Sequence, residues 1–245
     1  MEPRMILSDW IGRPLGRGKV AEVFEYGSDV IKIYPDGTGK QSAFREAGVL
    51  AALEGCALAV PVVTSVGCVE GRWAIVMSKG PDTDNADWAV DAMATLHVQV
   101  HRLRAGRLGD LKLKLSADIS AAGALSQAER SSLLDLLEHL PSGDRLCHGD
   151  FHPGNILGSP SSPFIVDWVD ASCGAPEADA CRTYLLALNN MPRLAGPYLE
   201  AYSAASGRYP ATILSWLPVV AAARLAENIP DEQESLLQVV RKGLP

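Results

Sequence analysis

Cys147-His148-Gly149-Asp150-Phe151-His152-Pro153-Gly154-Asn155-Ile156-Leu157, followed by Ile165-Val166-Asp167-Trp168, decides the reading of this 245-residue chain. It sets an Asp, then an Asn five positions on, then a second Asp twelve positions after that. Turn-forming residues separate apolar stretches here, which puts all three at strand ends or in loops. An ordinary polar turn also uses Asp, Asn, Gly and Pro, but it has no reason to lead into an apolar run that ends in one Asp. The order is the one that phosphoryl transfer to a hydroxyl requires. Asp150 would accept the proton of the attacking hydroxyl. The amide oxygen of Asn155 and the carboxylate of Asp167 are hard ligands that would hold Mg²⁺ on nucleotide phosphates.

Protein kinases write this order H-R-D-x-x-x-x-N and then D-F-G. Here it reads H-G-D-x-x-x-x-N and then V-D-W. In that form the chain resembles the aminoglycoside phosphotransferase and choline-kinase-like family of small-molecule kinases. The resemblance implies an α+β, bilobal, protein-kinase-like fold. A small N-terminal antiparallel sheet plus helix would precede a larger, mainly helical C-terminal lobe. It also implies ATP as donor, with GTP open, Mg²⁺ as cofactor, and a hydroxyl group of a small molecule as acceptor. The likeness runs from about residue 11 to 190 and is silent over the last fifty residues, where much of an acceptor pocket would lie.

The first third of the chain supplies what a nucleotide needs, in the right order. Gly16-Arg17-Gly18-Lys19-Val20-Ala21-Glu22-Val23 opens into an alternating strand. Small residues such as Gly16 and Gly18 let backbone approach phosphate. Ala21 stands where the protein-kinase pattern has a third Gly, and a plain Gly-containing hairpin would look similar. Asp29-Val30-Ile31-Lys32-Ile33-Tyr34 follows, a β-branched strand with one Lys. A charge among apolar neighbours needs a partner. In a kinase this Lys32 contacts the α- and β-phosphates and a helix Glu; an edge-strand lysine that snorkels is the alternative. Glu46, fourteen residues on in an amphipathic stretch over 41–50, is the expected partner, with Glu54 as rival.

Composition agrees with an ordinary globular protein: 47% hydrophobic and 21% charged. A net charge of −7 argues against a nucleic-acid partner. It suits a cationic substrate, or solubility alone. Met1-Glu2-Pro3-Arg4-Met5-Ile6-Leu7 lacks the apolar core of a signal peptide, and no run of 18 uncharged apolar residues occurs, since Glu54 and Arg224 interrupt the longest candidates. No membrane span is expected. The five cysteines, Cys56, Cys68, Cys147, Cys173 and Cys181, form no C-x-x-C pair and sit in apolar segments. They read as reduced core thiols of a cytoplasmic protein. Cys147, beside the decisive motif, reads as a buried strand residue rather than a nucleophile.

Turn signals divide the chain into a nucleotide-binding lobe over 1–77, a hinge over 78–82 and a catalytic and substrate-binding lobe over 83–245. Gly27-Ser28 and Glu70-Gly71 close hairpins, with the last two strands of the lobe at 62–68 and 72–77. Met77-Ser78-Lys79-Gly80-Pro81 ends the sheet. By the resemblance, backbone near Met77 and Lys79 would bind the adenine. Trp88, Ala92, Leu96, Val100 and Leu103 recur at helical spacing over 85–104. Ser126-Gln127-Ala128-Glu129 is a capping box opening a Leu-rich helix to about Leu140. A short strand is expected over 164–166, then a helix from Pro176 to about Leu188, then two or three more helices.

His97 and His101 lie four apart, which is metal-ligand spacing, but Val98 stands where H-E-x-x-H has Glu, so a structural role is expected. By the resemblance, His148 orients the catalytic loop and Asp179, in Gly174-Ala175-Pro176-Glu177-Ala178-Asp179-Ala180, caps its backbone amides. Ala180 replaces the Leu usual in that family. His152 is open between touching phosphate or substrate and bracing the loop. A protein kinase is a weaker reading, because D-F-G and A-P-E are absent and no activation-loop length follows Asp167. A catalytically silent nucleotide-binding module is the other alternative, although every residue the chemistry needs is present.

Overall fold

The computed structural model describes residues 8–18, 21–81 and 88–244. Lys19 and Val20 of the glycine loop, residues 1–7, residue 82 of the expected hinge and residues 83–87 before the first large helix lie outside them. Two compact units organise the chain. One takes the residues before Asp87 together with Ile156–Val169; the other takes Asp87–Asn155 and Asp170–Pro245.

In the first unit the chain begins with β1 (Ile11–Arg17), β2 (Glu22–Tyr26) and β3 (Asp29–Ile33), then α1 (Lys40–Leu53), then β4 (Val63–Val69) and β5 (Arg72–Ser78). These strands form one antiparallel sheet in the order β1-β2-β3-β5-β4. The β2–β3 and β4–β5 turns fall at Gly27 and at Glu70-Gly71, where positive φ suits glycine. Strand alternation assigns the two faces. Ile31, Ile33, Ala74 and Val76 pack together on one. Ile75 and Tyr34 face Ala43 and Ala47 of α1 on the other.

The second unit opens with α2 (Val90–Arg102), α3 (Leu111–Ala121), α4 (Gln127–His139) and β6 (Arg145–Cys147). Ser126 forms the expected capping box with Glu129 at the start of α4. The chain then returns to the first unit as a hairpin, β7 (Ile156–Ser159) and β8 (Ser162–Ile165). There Ile165 N donates to Ala59 O, and Gly80 packs against the hairpin so tightly that a Cβ would lie 2.7 Å from Phe164 Cδ1. That packing is why the compact units do not follow a single cut at residues 78–82. Val166, expected in the short strand, lies just past β8.

The rest of the second unit is β9 (Ser172–Gly174), α5 (Pro176–Asn190), α6 (Pro192–Ser206), α7 (Pro210–Leu214), α8 (Leu217–Leu225) and α9 (Pro230–Gly243). Four described helices therefore follow α5, where two or three were expected. Each has a Pro in its first or second position, where the missing N–H costs no helix bond. β6 pairs with β9. α2 and α5 pack on α6, and α3, α5 and α9 pack on α8. The buried α8 carries Arg224, which meets Glu232 of α9 through two hydrogen bonds of 2.7 and 2.8 Å. No described helix is long and apolar enough to cross a membrane.

Candidate active site

The first unit gathers Lys32, Glu46 and Asp167. Lys32 is the penultimate residue of β3 and is almost fully buried. Its Nζ lies 2.8 Å from Glu46 Oε1 and 2.8 Å from Asp167 Oδ1. Burial disfavours the ammonium, but the two carboxylates outweigh it, so the Lys32 pKa ends above the usual lysine value. Glu46 is itself 1% exposed and takes a second donor, Tyr34 Oη, at 2.5 Å on Oε2. Glu54, the rival partner, is exposed at the C-terminal end of α1. Tyr34 went unassigned in the sequence, though it sits two residues after Lys32. The same burial that hides Glu46, together with that carboxylate's charge, pushes the Tyr34 pKa far up, which keeps it a neutral donor.

Asp167 has φ +62°, a left-handed conformation that a non-glycine residue adopts only when its surroundings over-determine it. Gly16 lies in β1 opposite Val23, and Gly18 N donates to Ala21 O at 2.9 Å. Met77 pairs with Val30 on one side and Val63 on the other. The ammonium of Lys79 sits 3.1 Å from Glu25.

In the second unit the loop after β6 carries Asp150 and Asn155, and Asp179 of α5 fixes it. Asp179 Oδ2 accepts His148 N at 2.6 Å, and Oδ1 accepts Gly149 N at 2.8 Å. Gly149 has φ +84°, and a Cβ there would stand 2.7 Å from Asp170 O, so glycine is required twice over. His148 Nδ1 accepts Asp150 N at 3.2 Å, orienting the loop from within. Asn155 Nδ2 donates to Asp150 O at 2.8 Å and lies 3.4 Å from Asp150 Oδ2. That commits the amide nitrogen of Asn155 to Asp150. Two hard oxygens, Asn155 Oδ1 and the Asp167 carboxylate, are donors of the kind magnesium takes.

Burial acts to raise the Asp150 pKa, but the hydrogen bond from His152 and the charges of His152 and Arg182 hold it below the usual aspartate value. His152 Nε2 is 3.5 Å from Asp150 Oδ2 while Nδ1 accepts Gly154 N, so its visible contacts are within the loop. Arg182 and Thr183 add hydrogen bonds to the carbonyls of Gly149 and Phe151. Neither was singled out in the sequence. Their position, one helical turn after Asp179, is the signal that points to them.

The spacing of His97 and His101 is explained by Asp179. Both Nε2 atoms approach its Oδ2, at 3.0 and 3.1 Å. The opposite Nδ1 atoms meet Tyr198 and Tyr202 hydroxyls at 2.7 and 2.6 Å. These three residues form a buried group close enough to hold a metal ion. The bonding pattern is nevertheless complete without one: each Tyr hydroxyl can donate to Nδ1 and each Nε2–H to Asp179. Burial, with the charge of His101, depresses His97 to about 3 despite Asp179, so it is neutral at ordinary pH. Burial also raises the Cys147 thiol, which excludes a thiolate nucleophile beside the loop.

A sequence model of the phosphotransferase enzyme family, APH, matches residues 13–216. No curated protein sequence matches the chain. Among solved structures, a thermostable mutant of aminoglycoside phosphotransferase APH(4)-Ia in ternary complex with ADP and hygromycin B is similar with a TM-score of 0.67 at 14% identity, over 95% of this chain and 94% of that one. Choline kinase LicA from Streptococcus pneumoniae is similar with a TM-score of 0.63 at 17% identity, over 99% and 94%. ADP-bound aminoglycoside phosphotransferase APH(2'')-Ib gives 0.56 at 16%, over 94% and 90%. At these identities the likeness bears on the fold, which is α+β with an N-terminal antiparallel sheet and a helical C-terminal part.

Proposed function

The chain belongs to the phosphotransferase enzyme family, and on that premise we propose that it transfers the γ-phosphoryl group of ATP to a hydroxyl of a small molecule, with magnesium. The observation that supports this best is the loop geometry. Asp150 is held ionised, on a backbone that Asp179 fixes, with Asn155 hydrogen-bonded to it. The nucleotide-bound state of two of the similar structures agrees with ATP as donor.

In this reading Asp150 orients the acceptor hydroxyl and takes its proton. A carboxylate whose pKa lies low is a weak base, so its work is chiefly alignment, with the proton moving late. Lys32 holds the α- and β-phosphates, and Glu46 keeps Lys32 in place. Gly16 and Gly18 lie over the phosphates, and backbone at Met77 and Lys79 takes the adenine. Asn155 and Asp167 are the proposed magnesium ligands; when bound, magnesium neutralises phosphate charge. His148 and Asp179 support the loop. The proposed lobes are 1–77 and 83–245, with 78–82 as hinge and with Ile156–Val169 of the later segment belonging to the first compact unit, and the proposed setting is the cytoplasm, with no nucleic-acid or membrane partner.

The test is a thermal-shift series with ATP, GTP and Mg²⁺, followed by a panel of hydroxyl compounds in a transfer assay corrected for nucleotide hydrolysis. Magnesium-dependent stabilisation by ATP and transfer to a small hydroxyl compound are expected. Failure to bind any nucleotide would remove the reading.

A further inference from the structure

The peptide that joins Gly149 to Asp150 is held at both ends. Its N–H, on Asp150, donates to His148 Nδ1 at 3.2 Å, and its carbonyl, on Gly149, accepts Arg182 Nε at 3.3 Å. A peptide is planar, so fixing both ends fixes the direction in which the chain enters Asp150. The clamp matters because Gly149 sits at φ +84°. Glycine has the widest backbone freedom of any residue, and no Cβ opposes rotation of the peptide that follows it. The bond from Gly149 N to Asp179 lies on the other side of the Gly149 Cα and leaves that rotation free.

A bond of 3.3 Å is longer than the common N–H···O range, so the Arg182 guanidinium needs a second hold. Glu227 supplies it, with Oε1 at 2.5 Å from Arg182 Nη2. Glu227 Oε2 accepts Arg224 Nη1, and Arg224 makes two further hydrogen bonds, of 2.7 and 2.8 Å, to Glu232. Asn189 of α5 donates to Glu232 Oε2 at 3.2 Å. Signs therefore alternate from Glu232 of α9, through Arg224 of α8 and Glu227 just past α8, to Arg182 of α5 and the Gly149 carbonyl. Burial acts to raise the Glu227 pKa, but the charge of Arg182 and the hydrogen bond from Arg224 hold it below the usual glutamate value, so it stays ionised between the two guanidiniums. The far end of the chain is anchored, with both Arg224 and Glu232 side chains 8% exposed. The near end is open, with the Glu227 side chain 43% exposed. An open ion pair adds little to folding stability. It can still set geometry, because a guanidinium is a flat fork whose donors point in fixed directions.

We infer that Arg182 is a positioning residue for Asp150, aimed by Glu227, and that this ion chain ties helix α9 to the loop that carries Asp150. Arg182 acts on transfer through the Gly149–Asp150 peptide. The inference rests on the phosphotransfer reading above and gives a task to three residues of the last fifty: Arg224, Glu227 and Glu232.

The experiment pairs hydrogen exchange of the full chain, followed by mass spectrometry, with turnover of MgATP to water, an acceptor that needs no identification. Arg182→Gln and Glu227→Ala should each speed exchange within residues 147–155 by about 10-fold or more, while exchange in α5 and α8 stays as in the unaltered protein. In both, kcat for MgATP should fall about 10-fold with a much smaller change in KM, since the nucleotide contacts are untouched. Arg182→Lys keeps the charge but not the flat fork, and should behave as Arg182→Gln does. Arg224→Met with Glu232→Leu removes the far half of the chain and should show the same loop signature to a smaller degree. Unchanged exchange over residues 147–155 in Arg182→Gln and Glu227→Ala overturns the inference. So does a rise spread over the whole second unit, which marks general support of the fold, and so does full recovery in Arg182→Lys, which assigns the effect to charge alone. An unaffected loop in the Arg224 and Glu232 pair overturns the tie to α9. An unaltered protein that does not turn over MgATP overturns the role in transfer; if it also binds no nucleotide, the phosphotransfer reading falls with it.

Discussion

Glu46 Oε1 lies 2.8 Å from Lys32 Nζ, and both side chains are buried. A carboxylate fourteen residues away and on a different element thus holds the lysine, together with Asp167, whose Oδ1 lies at the same distance. The single changes Lys32→Ala and Glu46→Ala should each lower kcat/KM for ATP, and the double change should cost less than their sum. Once Glu46 is gone the lysine is already misplaced, so deleting it removes little more. Coupling of roughly 0.5–3 kcal/mol is the range for groups in one network. Strictly additive losses would show that the two act independently.

The pair was legible because Lys32 breaks an apolar strand and Glu46 falls on the buried stripe of a helix. The loop proposed as catalytic stood out for a different reason: Asp150, Asn155 and Asp167 keep fixed offsets that few other sequences need. Other parts were hidden by physics that pattern does not carry. Leu111-Lys112-Leu113-Lys114-Leu115 alternates like a strand, yet it is the start of α3, where Asp110 caps Leu113 N. The Tyr34–Glu46 and Tyr198–His97 bonds link distant elements, and nothing local announces them. The return of Ile156–Val169 to the first unit is likewise a matter of tertiary packing, not of any composition break.

Arg224 and Glu232 should behave as a buried ion pair. Both side chains are 8% exposed. Arg224→Ala strands a carboxylate in the helical core and should cost about 3–5 kcal/mol, the range for a broken buried pair. Replacing both, as Arg224→Met with Glu232→Leu, should cost much less. Urea denaturation of the three variants decides it; a double variant as unstable as Arg224→Ala contradicts the assignment.

Stability should fall with acid well before the carboxylates titrate. His97 is neutral in the fold down to about 3, against 6.5 for an unhindered histidine, because burial opposes its charge. Between those values the unfolded chain binds a proton that the folded chain does not. Stability therefore rises with pH through this window and is lost as pH falls from about 6.5, by at most about 1.4 kcal/mol per pH unit for one such group. Asp179, held well below the usual aspartate value despite burial by its histidine hydrogen bonds, loses its contribution only below about 3.8. Urea midpoints at pH 7 and pH 5 should differ clearly in the unaltered protein, and the difference should shrink in His97→Gln. An unchanged difference would place the acid-sensitive group elsewhere.

The proposed phosphotransfer is tested most directly at Asp150. Asp150→Asn keeps the side chain's size and its hydrogen bond with the loop but removes the charged acceptor that aligns the hydroxyl and takes its proton late in the transfer. Phosphoryl transfer to the acceptor should drop on the order of 10²-fold or more. Magnesium-dependent ATP binding, measured by calorimetry on the same preparation, should stay within a few-fold of the unaltered protein. Unchanged transfer in Asp150→Asn would contradict the account.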